Sequence, residues 1–189
     1  VMTYNDITSE NSNKKNSSSG YVKSWMAYDI AALQYLYGKA KHTNTNDIYY
    51  IKNNNWECIN DSSGINTISA EKLNIGAIIN LNKANLNNNS QNAGGYINKV
   101  NNYNKAGLFI SNESIINNAN GSNYNDIIYS NNNINIIKAN SGNDIIYATN
   151  GNIFCGSGRD TVIVKNIQLT KRLYINGNQN INTIKLNLK

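Results

Sequence analysis

The chain has 189 residues, a formal net charge of +6 and 40% hydrophobic residues. This is enough for one or two small domains with a core. No run of 18 or more apolar residues occurs, which excludes a helical membrane span. The lysines are scattered rather than gathered into an aromatic-interleaved basic stripe, so the charge reads as general solubility and no nucleic-acid partner is expected.

About a quarter of the chain is Asn, far above ordinary usage. Asn accepts turns and the left-handed backbone region. The abundant Ile favours strands. Clusters of Asn alternating with pairs of Ile therefore predict many short strands joined by turns, in a mainly β chain.

Residues 5–23 are polar and read as a loop or linker. The start shows no signal-peptide pattern, and a sequence beginning at Val1 reads as a fragment. SWMAYDIAALQYLYG predicts one helix over 24–37. Ser24 would cap its start and Gly38 its end, with Met26, Ile30, Leu33 and Tyr37 forming an apolar stripe for the core. His42, the sole histidine, lies in the polar run KAKHTNTND and reads as a surface residue, because zinc needs three or four clustered ligands.

From residue 46 the pattern changes to strands. DIYYIK, WECIN, INTISA, NIGAIINLNK, GLFI and ESIINN are the expected strands, with 87–105 a long Asn-rich loop. Cys58 and Cys155 each lie beside a hydrophobic residue at a strand edge. Two cysteines in a chain this long do not make a disulfide scaffold, so they read as separate, partly buried thiols, with a single disulfide as the alternative.

A nine-residue period begins near Gly121. GSNYNDIIY, SNNNINIIK and ANSGNDIIY follow one another, placing Asp126, Asn135 and Asp144 at one repeat position and Ile128, Ile137 and Ile146 at another. The period falters at NGNIFC and resumes in CGSGRDTVIV, with Asp160 and Val162 in those two places. INGNQNINTIKLN is a degenerate last unit, with Asn182 and Ile184. A fixed step of this kind predicts a solenoid, in which each unit buries its aliphatic side chain only by stacking on its neighbours. The repeats are clearest over 121–164.

These units resemble the calcium-binding nonapeptide Gly-Gly-x-Gly-x-Asp-x-aliphatic-x of RTX β-rolls. VMTY at 1–4 looks like the Met-turn of a metzincin, and YDIAALQYLYG at 28–38 like the helix that follows it in serralysins. WECINDSSGINTISA at 56–70 and ESIINNANGS at 113–122 are similar to serralysin segments around the roll. In that order, the chain resembles the C-terminal portion of a serralysin-type zinc metallopeptidase of the M10 class. The resemblance implies a parallel β-roll over 46–189, preceded at 1–45 by one helix and the end of a peptidase domain. It also implies bacterial secretion to the extracellular space, a protein or peptide substrate for the complete enzyme, and a monomer.

The resemblance places Met2 beneath a catalytic zinc and makes Tyr4 the residue that ligates zinc and stabilises the tetrahedral intermediate. The zinc histidines of an H-E-x-x-H-x-x-G-x-x-H helix are not in this sequence. Zinc is therefore expected only with an upstream catalytic helix, and this chain alone is expected to be inactive. INTIKLNLK does not match the family's acidic, apolar export signal.

Calcium takes six to eight oxygen ligands. In a β-roll, turns two units apart share an edge. Asp126, Asp144 and Asp160, spaced 18 and then 16 residues, should therefore stack there with two calcium sites between them. The carbonyls of Gly121, Asn123, Asn140, Gly142, Gly156 and Gly158 are the expected partners. The opposite edge, with Asn135 and NGN at 150–152, lacks carboxylates and should be empty or weak. Asn66 replaces Asp in DSSGINT, which leaves Asp61 as a secondary ligand candidate. Ser122 and Tyr124, and Asn131 and Asn133, replace consensus glycines. A stand-alone RTX-like calcium-binding or adhesion module and a decayed peptidase remnant are the alternative functions.

Overall fold

The computed structural model describes residues 21–39, 44–90, 92–101, 106–165, 172–178 and 183–187. Val1, Met2 and Tyr4 of the Met-turn segment, together with His42 and Asn182, lie outside the described residues.

The chain is mainly β with parallel sheets. Strands β1 (Tyr21–Val22), β3 (Asn55–Ile59) and β7 (Gly107–Ile110) form a small parallel sheet in the order β1-β3-β7. A six-stranded sheet contains β2 (Ile48–Tyr50), β4 (Thr67–Ser69), β8 (Asn118–Asn120), β10 (Asn135–Lys138), β12 (Gly151–Phe154) and β14 (Leu173–Asn176). The other contains β5 (Ala77–Asn80), β6 (Lys99–Val100), β9 (Ile127–Tyr129), β11 (Ile145–Ala148), β13 (Thr161–Lys165) and β15 (Thr183–Asn187). All pairs in the large sheets are parallel except β5–β6. From β8 to β15, successive strands alternate between the two sheets.

Alternation fixes the register. Ile127, Ile145, Thr161 and Thr183 are paired in sequence, giving steps of 145 − 127 = 18, 161 − 145 = 16 and 183 − 161 = 22 residues. The first two steps are those expected from the sequence. In-pointing residues then form two columns. Ile79, Ile128, Ile146 and Val162 run up one sheet, and Ile68, Ala119, Ile137 and Ile153 up the other, all with zero exposure. Burying one aliphatic side chain contributes about 1.5–3 kcal/mol, and each is buried only because its neighbours in the column are present. Ile184 holds the next register position beside Val162 but is 55% exposed, so its apolar place in the repeat is not a buried one.

The stack reaches further back than the repeat pattern, to β2 and β4. It is interrupted by an excursion over 81–117 that contains β6 and β7. The segment expected as a loop over 87–105 thus supplies β6, and ESIINN is turn and coil, with the strand starting only at Asn118.

Helix α1 spans Ala27–Tyr37 rather than 24–37. Ser24 does not cap it. Its Oγ accepts the Cys58 N–H at 2.7 Å and ties the approach to β3, while Asp29 Oδ2 accepts the Met26 N–H at 3.1 Å. Gly38 ends the helix as expected, at φ 84°, donating to Gln34 O. Ala27 and Ile30 are buried with Cys58 and Ala84, but Tyr37 is 82% exposed, so the expected apolar stripe stops short of the last turn. Cys155 belongs to the main core, and the two thiols are unbridged.

Candidate functional site, the aspartate edge

The turns leading into β9, β11 and β13 stack in register. Each places an Asp immediately before its strand, where a side chain can reach back to the neighbouring coil. Asp126 Oδ1 accepts the Ala77 N–H at 2.6 Å, Asp144 Oδ1 accepts the Asp126 N–H at 2.7 Å, and Asp160 Oδ1 accepts the Asp144 N–H at 3.0 Å. The three expected aspartates are therefore brought together on one edge, each 1% exposed. A second ladder runs beside them, with Asn125 Oδ1 accepting from Asn143 N and Asn143 Oδ1 from Arg159 N.

Glycine is required here by close approach. Gly158 has φ 125°, and a Cβ on it would lie 1.8 Å from Gly142 O. Such a backbone conformation is open to Gly at little steric cost. Tyr124, in the corresponding place of the first turn, keeps a negative φ, and its side chain is 47% exposed.

The second carboxylate oxygens differ. Asp126 Oδ2 accepts the Ser122 N–H at 2.6 Å, and the Ser122 hydroxyl donates to the same carboxylate at 2.9 and 3.1 Å. Among the described residues, Asp144 Oδ2 is buried with no hydrogen-bond partner. A carboxylate only accepts, so a buried oxygen left this way costs free energy unless a proton or a cation reaches it. Burial is the main cause that pushes the Asp144 carboxyl up, to about 8. The Asp126 N–H opposes the rise, and the charges of Asp126 and Asp160 add to it. Burial also raises Asp126 and Asp160, against their backbone hydrogen bonds.

The carbonyls divide into two groups. Gly121 O accepts the Asn140 side-chain amide at 2.8 Å, Asn140 O accepts the Ser157 N–H at 2.8 Å, and Gly156 O accepts the Asn178 amide at 3.1 Å. Three of the six carbonyls expected as calcium ligands are thus already engaged. Asn123, Gly142 and Gly158 complete the expected set. Among the described residues, no three His, Cys, Asp or Glu side chains converge on a single point. The carboxylates run along the edge instead of surrounding a centre.

The opposite edge is built from amides. Asn66 Oδ1 accepts the Asp47 N–H at 3.0 Å, while its Nδ2 donates to Ser63 O and Ile115 O. Asn117 Oδ1 accepts the Asn66 N–H. Asn135 Oδ1 accepts from Asn131 N, and its Nδ2 donates to Asn117 O and Asn131 Oδ1. Asp61 is satisfied within the protein: Tyr49 Oη donates to Oδ2 at 2.7 Å and Ser63 N to Oδ1 at 3.1 Å.

Three contributions were missed by sequence reasoning, those of Ser122 and of the Asn140 and Asn178 side chains. Ser122 reads as a lost glycine, yet it supplies the donors for Asp126; its signal is a hydroxyl four residues before the Asp. Asn140 and Asn178 both take positive φ, 73° and 53°, and both send an amide to a turn carbonyl. Compared with known proteins, the chain matches no family model and no curated protein.

Proposed function

We propose that this chain is the calcium-binding β-roll portion of a secreted serralysin-like zinc metalloendopeptidase. The observation that carries the reading is the column Asp126–Asp144–Asp160, buried, in register, and with Asp144 Oδ2 lacking a donor. Parallel strands alternating between two sheets from β8 to β15 support a roll. A cation on this edge would lie between adjacent aspartates and use the carbonyls of Asn123, Gly142 and Gly158.

Bound calcium supplies positive charge to a row of carboxylates that otherwise repel one another. The chain's own residues do the rest. The backbone N–H ladder fixes each Oδ1, the glycines let the turns approach, and the aliphatic columns hold the spacing. Because the turns come into register only when the strands pair, metal affinity on this edge is coupled to folding. In a secreted protein, that coupling favours folding where calcium is plentiful. Zinc and catalysis are expected only where a catalytic helix accompanies this segment, and the isolated chain is expected to have no peptidase activity.

One observation favours a second reading, a roll or adhesion module that folds without metal: the carbonyls of Gly121, Asn140 and Gly156 already accept hydrogen bonds. Calorimetric titration of the chain with calcium chloride at pH 8 separates the two. Saturable uptake that Asp144→Asn abolishes supports the calcium reading; absence of heat up to millimolar calcium rules it out. A casein assay with added zinc checks inactivity, and turnover would overturn it.

A further inference from the structure

The outer face of the second large sheet carries a groove of about 490 Å³, away from the aspartate edge. This lies within the usual range for small-molecule sites. One wall comes from the excursion, through Tyr96 and Ile97. The floor is made by β5, β9 and β11, and Lys165 of β13 closes one end. The main sheet and the excursion therefore build the groove together.

Its chemistry is specific. Asn80, Asn82 and Asn132 contribute amides, while Tyr96, Tyr129, Tyr147 and Thr149 contribute hydroxyls. Amides and hydroxyls both donate and accept. A row of them suits a ligand whose own groups also do both. Lys165 is the lone charged side chain among the described lining residues, which include no Asp or Glu. Its Nζ sits 4.4 Å from the centroid of the Tyr147 ring.

Several of the polar groups are held in place before any ligand arrives. Tyr129 and Tyr147 stack with centroids 4.5 Å apart and planes at 4°. Asn82 Nδ2 donates to Asn80 Oδ1 at 2.8 Å and to Ser130 O at 3.1 Å. Thr149 Oγ1 donates to Asn131 O at 2.6 Å. Fixed side chains lose little freedom on binding, which favours affinity.

We propose that this groove binds a short oligosaccharide carrying at least one carboxylate. The sugar hydroxyls meet the amides and phenols, its apolar ring faces lie against Ile97 and the tyrosines, and its carboxylate meets Lys165. This assignment does not depend on calcium.

The test is calorimetric titration of the full chain with a trisaccharide of hexuronic acids and with its carboxyl-reduced, neutral counterpart. The acidic sugar should bind with a Kd near or below about 1 mM, and the neutral one about tenfold more weakly, the size of effect one charge-assisted contact gives. Lys165→Gln should erase that difference. Asn132→Ala, at an exposed position, should weaken both sugars several-fold, as should Tyr96→Ala if circular dichroism shows it folded. Asp144→Asn should leave sugar binding unchanged, which separates this site from the aspartate edge. Failure of both sugars to bind at about 10 mM, well beyond the affinity expected of such a pocket, would overturn the proposal. So would equal affinity for both sugars, or full competition by acetate, since a bare anion would then explain the signal.

Discussion

The two edges of the sheet stack solve one problem with different chemistry. Turns on both edges place a short polar side chain at or just before the start of a strand, where its oxygen can accept a backbone N–H from the neighbouring coil or from its own turn. On one edge that side chain is an amide, on the other a carboxylate. Asn135 closes its surroundings completely, because its Oδ1 accepts from Asn131 N and its Nδ2 donates to Asn117 O and Asn131 Oδ1. Asp144 has the same shape but no donor, so Oδ1 is satisfied and Oδ2 is not. The amide ladder is complete at Asn66 and Asn135, whereas among the described residues Asn150 Oδ1 on the same edge is buried without a partner. A carboxylate ladder is complete only with a proton, a neighbouring hydroxyl such as Ser122, or a cation.

The largest expected effect is shared by both edges and tests whether close stacking is common to them. Gly158→Ala puts a Cβ 1.8 Å from Gly142 O, and Gly151→Ala one 2.1 Å from Asn135 O. Each should lower stability by about 3 kcal/mol or more, as strained or overpacked backbone does. Urea unfolding followed by circular dichroism would read this. An unchanged midpoint in either variant would show that its edge is looser than the structure places it.

Exchanging the two chemistries should be asymmetric. Asn135→Asp removes the donor to Asn117 O and Asn131 Oδ1 and buries a charge, costing about 2–3 kcal/mol. Asp144→Asn keeps the ladder and removes the charge, so without metal at pH 8 it should not destabilise. Equal losses from both exchanges would erase the distinction between the edges.

Calcium should act on one edge only. At a free concentration of 100 Kd, a ligand binding only the folded state adds about 2.7 kcal/mol. The wild-type chain should gain this much and Asp144→Asn much less, as read from melting curves with calcium or chelator. A gain retained in Asp144→Asn would move the cation elsewhere.

A smaller effect is the pH dependence without metal. The folded carboxyl of Asp144 is raised to about 8, whereas an unfolded Asp titrates near 3.9. Between these values the folded chain holds a proton that the unfolded chain releases, so stability falls as pH rises. Its contribution is fully present below about pH 4 and is lost by about pH 8. Unfolding midpoints at several pH values in chelator should show this decline, and Asp144→Asn should flatten it. A wild-type midpoint that rises over the same window would contradict the assignment.

The comparison also shows where sequence reading stops. The 18- and 16-residue steps were legible because a parallel stack repeats local chemistry at a fixed interval, and one Asp or Asn before each strand marks the interval. The excursion over 81–117 was not, because β6 and β7 pair with distant segments and leave no period. Ser24 has the composition of a helix cap, but its oxygen is drawn to Cys58 N by packing on β3. Tyr37 keeps helical spacing, yet among the described residues it stays 82% exposed.

The sequence by itself determined the strand-and-turn rhythm of the repeats, the buried aliphatic positions Ile128, Ile137, Ile146 and Val162, and which turns carry a carboxylate. Those follow from side-chain type and spacing, which survive without knowledge of the partners. Tertiary structure alone decided how far the stack extends, that Ser122 serves Asp126, that side-chain amides of Asn140 and Asn178 take up turn carbonyls, and that the excursion walls a groove against the sheet. Each of these depends on which distant backbone lies within hydrogen-bond reach, a distance that no local pattern encodes.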